Sequence, residues 1–159
     1  MKNVFHLNEA YSDSFRAAPC FGKRFSLRGA VVFFSDAKKL FIYSALLWRV
    51  IRDQRDRPLR VLDFGCGSGA LASDLSLLMS GRVEFFALDV TEGWENSVLD
   101  MPNRVTPLPE QELKSGFDIV ISSDVLGHLP CIDTGLKEIK SYLKAGGVFL
   151  GFTETVTKG

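Results

Sequence analysis

The sequence predicts a three-layer α/β fold: a mostly parallel sheet of about five strands, helices on both faces and a helical segment in front. Two observations carry that prediction. From Pro58 onward, short apolar runs alternate with helix-forming stretches, and strands apolar on both faces belong to a covered parallel sheet. Within this pattern, Arg60 to Ala70 (RVLDFGCGSGA) places an apolar run, three glycines on alternate positions and a helix start in order. That succession reads as a buried strand, a tight turn and a helix N-terminus. Glycine there permits positive φ and lets a ligand lie against the main chain. The unpaired N–H groups of the helix start suit an anionic group. Right-handed crossovers put the turn at the carboxyl edge of the sheet, where the strand order reverses. It is a nucleotide-type cofactor turn.

A chain of 159 residues is expected to form one domain and to bury roughly two-thirds of its unfolded surface. The reading divides it into an N-terminal helical or cap segment, 1–58, and a cofactor-binding core, 59–159. Lysine plus arginine equals aspartate plus glutamate, 19 each, so no global field recruits nucleic acid or an anionic membrane. Cys20, Cys66 and Cys131 lie far apart, with no metal-binding spacing and an odd count for disulfides. A reducing, cytoplasmic setting is expected. His6, Asn8, Glu9 and Asp13 interrupt the N-terminal apolar residues, so no signal peptide is read there, and no apolar run approaches the ~20 residues of a membrane span.

Residues 1–30 mix aromatics (Phe5, Tyr11, Phe15, Phe21, Phe25) with basic residues (Arg16, Lys23, Arg24, Arg28). They read either as a surface segment with aromatic anchors or as a cap over the pocket, and no strand among them would clearly pair with the edge of the sheet. Ser35 or Asp36 can cap a helix running to about Asp56, with Ala37, Leu40, Phe41, Ser44, Ala45, Trp48 and Ile51 at helical spacing. Pro58 disfavours helix at Arg57 and hands the chain to the first core strand.

After the glycine turn, Ala70 to Met79 reads as a helix with Leu71, Leu75 and Leu78 on one side, stopped at Ser80-Gly81. Val83 to Val90 is a second strand that carries Asp89 near its end. Thr91 to Leu99 is a short helix or loop around Trp94. Arg104 to Thr106 reads as a third strand, and Pro109 to Lys114 as one or two helical turns. Phe117 to Ser122 is a fourth strand, followed by a loop to Pro130. Asp133 is expected to cap a helix to Lys144, ended by Ala145-Gly146-Gly147, before a fifth strand at Val148 to Phe152.

The glycines alone do not identify the cofactor, because Gly65-x-Gly67-x-x-Ala70 also meets the loose dinucleotide pattern. Asp89 fits either case, since a carboxylate can accept from both ribose hydroxyls. Asp63, two residues before the first glycine, stands where a dinucleotide site usually has an apolar residue. With the Gly-x-Gly-x-Gly spacing and the run Phe117 to Leu129, the chain resembles the class I S-adenosylmethionine-dependent methyltransferases, which are Rossmann-like. The matching stretches are VLDFGCGSGALA (Val61–Ala72), FFALDV (Phe85–Val90), FDIVISSDVLGHL (Phe117–Leu129) and LKAGGVFLGFTE (Leu143–Glu154). All four are in register.

The resemblance implies S-adenosyl-L-methionine as cofactor. Asp63 and the loop of Gly65, Cys66, Gly67 and Gly69 would hold its methionine moiety, and Asp89 its ribose. The turn at Ser122, Ser123 and Asp124 would form the floor under the sulfonium and methyl, with Phe64 and Val90 in the same set. No catalytic residue is assigned; His128 is the one candidate base, and a locally bonded loop histidine is the favoured reading of it. Thr106 replaces the aspartate that relatives with a similar loop present to adenine. The family's last two strands, an antiparallel hairpin, are not read after the fifth, so Val148–Phe152 is expected at an open sheet edge, with a homodimer forming there.

The function these readings favour is a methyltransferase acting on a small molecule. The alternative is a cofactor-binding pseudoenzyme or one part of a larger assembly. An Asn-Pro-Pro-Tyr loop, carried after the fourth strand by relatives that methylate base or amide nitrogen, is replaced here by Ser122-Ser123-Asp124-Val125.

Overall fold

The structure is a computed structural model that describes residues 23–27, 30–34, 37–52, 56–79, 81–101, 103–108 and 116–153. Its elements in chain order are β1 (Lys23–Leu27), β2 (Ala30–Phe34), α1 (Ala37–Ile51), β3 (Leu59–Phe64), α2 (Ala70–Leu78), β4 (Val83–Leu88), α3 (Trp94–Leu99), β5 (Val105–Pro107), β6 (Phe117–Ser123), a 3-10 turn (Leu126–His128), α4 (Ile132–Tyr142) and β7 (Leu143–Phe152). The larger sheet has the order β5-β4-β3-β6-β7, and all its pairs are parallel. The chain builds outward from β3 in one direction and then, through β6, in the other. Right-handed crossovers therefore put α2 and α4 on opposite faces, and β3 and β6 flank the switch point.

The core strands are buried because both faces are covered. Val61, Leu62, Phe64, Ile119, Val120 and Ile121 have no accessible surface, and each burial of that kind contributes about 1.5–3 kcal/mol. At the amino ends of the strands, Asp118 accepts both Arg57 guanidinium nitrogens (2.9 and 2.7 Å) and the Arg60 N–H (2.9 Å), and it pairs with Lys144. Burial acts to raise its pKa, but Arg57, Lys144 and the Arg60 N–H outweigh it and hold the carboxyl well below the usual range. The Arg60 guanidinium lies between the rings of Phe86 and Phe117, 4.9 and 4.8 Å from their centroids. Asp118 thus ties the strand starts together, far from the carboxyl edge.

Several expected elements differ in detail. β1 and β2 pair antiparallel, Lys23 opposite Phe34 and Leu27 opposite Ala30, within the segment expected to be a helical or cap region; Val31, Val32, Phe33 and Phe34 are strand-favouring residues in succession. α1 stops at Ile51, short of Asp56. It buries Leu40, Tyr43, Leu47 and Ile51, leaving Phe41 and Trp48 exposed, so the inward face is rotated from the expected one. α2 buries Ala72 and Leu75, with Met79 buried at its C-cap, while Leu78 faces outward. Cys131, not Asp133, stands at the N-cap of α4. That helix ends at Tyr142, since Leu143 already pairs with Phe117 across a bulge that absorbs Ala145-Gly146-Gly147. The expected caps Ser35 and Asp36, the turns at 109–114, Ser80 and the first 22 residues lie outside the described residues.

Candidate functional site

The loop after β3 is fixed by its backbone. Gly65, Gly67 and Gly69 all have positive φ (78, 55 and 78°), which side-chain-bearing residues rarely adopt. The N–H groups of Gly65 and Cys66 both donate to the Leu88 carbonyl (2.8 and 3.1 Å), folding the loop over the end of β4. Space adds a second reason for glycine. A Cβ on Gly65 would lie 2.2 Å from a Val125 methyl, and one on Gly69 2.8 Å from a Val98 methyl. Val125 and Val98 therefore wall the loop, a role that sequence spacing alone does not reveal.

Asp89, just past β4, binds this loop directly. Its Oδ2 accepts the Gly67 N–H at 2.7 Å. Its Oδ1 accepts the N–H groups of Val90 and Thr91 and the Thr91 hydroxyl, at 2.8 to 2.9 Å. Asp63, at the end of β3, is fully enclosed, and its Oδ2 has no hydrogen-bond partner. Burial first, and then the Asp89 charge, push its pKa up to about 7. A carboxyl so placed is short of a cation or donor. Burial, with Asp63 and Asp89 behind it, also pushes the Cys66 thiol up, which keeps it neutral and unsuited to nucleophilic work.

On the other side of the switch point, β6 delivers Ser122, Ser123 and Asp124. The Ser122 hydroxyl is buried without a partner. Its carbonyl accepts the Tyr43 hydroxyl at 2.6 Å. Burial first, and then Asp63, push the Tyr43 hydroxyl far up in pKa, so it serves as a neutral donor. Asp124 pairs with Lys39, and its N–H donates to the Phe152 carbonyl at 2.7 Å. His128 lies exposed on the 3-10 turn, its N–H bonded to the Val125 carbonyl at 2.9 Å. Val90 is exposed and Phe64 wholly buried; Thr106 is exposed on β5.

The structure thus brings Asp63, the glycine loop and Asp89 to one place at the carboxyl edge, with Ser122–Val125 beside them. Tyr43 and Lys39 were missed from the sequence. The available signal was a single hydroxyl on the apolar α1 face formed with Leu40, Leu47 and Ile51. Among the described residues, no group of three His, Cys, Asp or Glu side chains could hold a metal ion.

A doubly wound parallel sheet with a glycine loop and two carboxylates at its switch point defines a Rossmann-like domain of the class I methyltransferase type. Residues 62–149 match the family model described as a methyltransferase domain, and the chain belongs to that family. It is 35% identical over 122 residues to the mitochondrial arginine-hydroxylase NDUFAF5 of Rattus norvegicus, covering 73% of this chain and 34% of that protein. It is 29% identical over 105 residues to the ubiquinone biosynthesis O-methyltransferase of Paramagnetospirillum magneticum, covering 60% of this chain and 40% of that one. The chain therefore spans between a third and two fifths of these relatives' length. Its fold is similar to that of the plantazolicin methyltransferase BpumL, solved with SAH and a pentazolic desmethylPZN analogue (TM-score 0.59, 13% identity, 74% of this chain and 49% of that one).

Proposed function

We propose that the chain binds S-adenosyl-L-methionine and transfers its methyl group to a small molecule. The observation that carries this reading is the pair Asp63 and Asp89 at the glycine loop, the first with a buried oxygen lacking any partner. Asp89 suits a ribose in either kind of cofactor, but a second carboxyl at Asp63 with a free oxygen favours a ligand with positive charge over a dinucleotide's pyrophosphate. S-adenosylmethionine fits, because it carries an ammonium and a sulfonium, and when bound it supplies a methyl group already activated for transfer. The residues present suit that group: Asp63 offers its free oxygen to a cation, Asp89 retains lone pairs for hydroxyls, and the loop backbone permits close approach.

The chain's own part is to bind, orient and exclude water. No enzyme nucleophile is needed. Cys66 is held neutral, so the acceptor must bring its own attacking atom, with its proton passing to solvent or to a nearby base such as His128. Balanced charge and the absence of an Asn-Pro-Pro-Tyr turn after β6 favour a small acceptor over a nucleic acid, as does the similarity to ubiquinone biosynthesis O-methyltransferases. No described helix is long and apolar enough to cross a membrane, and the reading places the chain in a reducing compartment such as the cytoplasm.

A second reading, a cofactor-binding module that performs no methyl transfer, is favoured by the name of the rat relative, an arginine-hydroxylase. Calorimetry with S-adenosylmethionine and S-adenosylhomocysteine tests both. One-to-one binding supports the shared site, and folded protein giving neither heat nor thermal stabilisation removes it. Turnover of S-adenosylmethionine to S-adenosylhomocysteine with a panel of phenolic, carboxylic and amine acceptors separates the two.

A further inference from the structure

α1 lies outside the matched segment, residues 62–149, yet its first turns reach the carboxyl edge of the sheet. The buried Tyr43 donates its hydroxyl to the Ser122 carbonyl across 79 positions of sequence. Lys39, four residues earlier and so on the same helix face, is ion-paired with Asp124, their side chains 22% and 26% exposed.

Among the described residues, Asp124 is the single non-glycine with positive φ, 60°. That conformation costs a residue with a side chain on the order of 1 kcal/mol and persists where neighbours over-determine it. Three contacts do so here. The Asp124 N–H donates to the Phe152 carbonyl, Lys39 holds its carboxylate, and Tyr43 holds the Ser122 carbonyl two residues before it. The next residue, Val125, is the one pressed against Gly65. Lys38 and Lys39 also occupy the helix end where the backbone's partial positive charge disfavours cations. Helix stability therefore gives no reason for Lys39, whereas Asp124 does.

We propose that Lys39 and Tyr43 are positioning residues that hold the Ser122–Val125 turn in place beside the glycine loop, so that a helix outside the matched segment completes the cofactor site. The inference rests on the reading of that site given above. Lys39 acts through Asp124 and Tyr43 through the Ser122 peptide; together they set how Val125 meets Gly65.

The test is calorimetry with S-adenosylhomocysteine on the full chain, with circular dichroism and melting temperature measured in parallel. Lys39→Met and Tyr43→Phe should each weaken binding roughly tenfold, the scale of one lost charge-assisted or buried hydrogen bond. Lys39→Arg should retain most of the affinity. Lys39→Met combined with Asp124→Asn should be no weaker than the poorer single variant, because the pair is lost only once. A lowered melting temperature with unchanged affinity would mean a purely structural role and overturn the proposal, as would additive losses in the double variant. If Lys39→Met fails to fold, Tyr43→Phe, which keeps the ring packing, decides alone. Folded wild-type protein that gives neither heat nor thermal stabilisation removes the site reading itself, and this inference with it.

Discussion

The Gly67 N–H donates to Asp89 Oδ2 at 2.7 Å, while Asp89 Oδ1 gathers the N–H groups of Val90 and Thr91 and the Thr91 hydroxyl. One carboxylate thereby fastens the glycine loop to the end of β4 before any ligand arrives. Asp89→Ala should consequently do two things. It should weaken S-adenosylmethionine binding by about 1.5–3 kcal/mol, the range for hydrogen bonds to a charged group. It should also lower the melting temperature, since the loop amide loses its acceptor. Loss of stability with intact affinity, read by calorimetry beside a thermal melt, would show that Asp89 only fastens the loop and that the ribose lies elsewhere.

Asp63 predicts how binding depends on pH. Its pKa of about 7 lies above the ordinary carboxyl value of 3.8 because of burial and then Asp89. Between those two pH values the folded state holds a proton that the unfolded state has released. This group's contribution to stability therefore falls as pH rises through that window, with a slope of at most about 1.4 kcal/mol per pH unit. Asp63→Asn should flatten that slope and stabilise the ligand-free protein at pH 8. A cationic ligand has the opposite preference, since it favours ionised Asp63. The affinity for S-adenosylmethionine should rise between pH 6 and pH 8, with a proton released on binding below pH 7. Calorimetry in buffers of different ionisation enthalpy measures that proton, and none released at pH 6 would separate Asp63 from the ligand.

The glycine loop carries a steric prediction. Gly65→Ala places a methyl 2.2 Å from a Val125 methyl at a φ of 78°, so either the loop or the β6 turn must move. Affinity for S-adenosylhomocysteine should fall at least tenfold, and the variant should melt earlier by several degrees, the shift expected for a loss of about 1–3 kcal/mol. Adding Val125→Ala should return part of both losses by making room. A Gly65→Ala protein that binds normally would mean that this contact does not shape the site.

What could be read in the sequence was local. The order of apolar run, Asp63, glycines and helix start is turn chemistry, complete within a dozen residues, and it placed the loop, β3 and α2 correctly. The partnerships of Tyr43 with Ser122 and of Lys39 with Asp124 span about half of the chain, and no spacing rule links their members. The face of α1 was misjudged because Phe41 and Trp48 follow the helical period as well as Leu40, Tyr43 and Leu47 do. Only packing against the sheet chooses between those faces. Among the described residues, β1 and β2 pair only with each other, so nothing elsewhere in the pattern announced them as strands.

The border of the sheet supplies the last prediction. β7 pairs with β6 on one side, and among the described residues no strand lies on its other side. Val148, Phe149 and Leu150 are half-buried, Gly151 is exposed, and no charge falls between Ala145 and Phe152. An edge with open backbone groups and no charge beyond Lys144 at its start is a template for another strand. We propose that the chain self-associates through or beside β7, most simply as a homodimer. Sedimentation equilibrium at micromolar concentration should show a dimer. Gly151→Lys should shift it to monomer, because it sets a charge on the edge and asks only a Phe149 ring edge, 2.8 Å from the new Cβ, to give way. The folded state should survive, since Gly151 has no positive φ and contributes no side chain to the core. A protein that stays monomeric to high concentration, or a dimer indifferent to Gly151→Lys, would refute association through this edge.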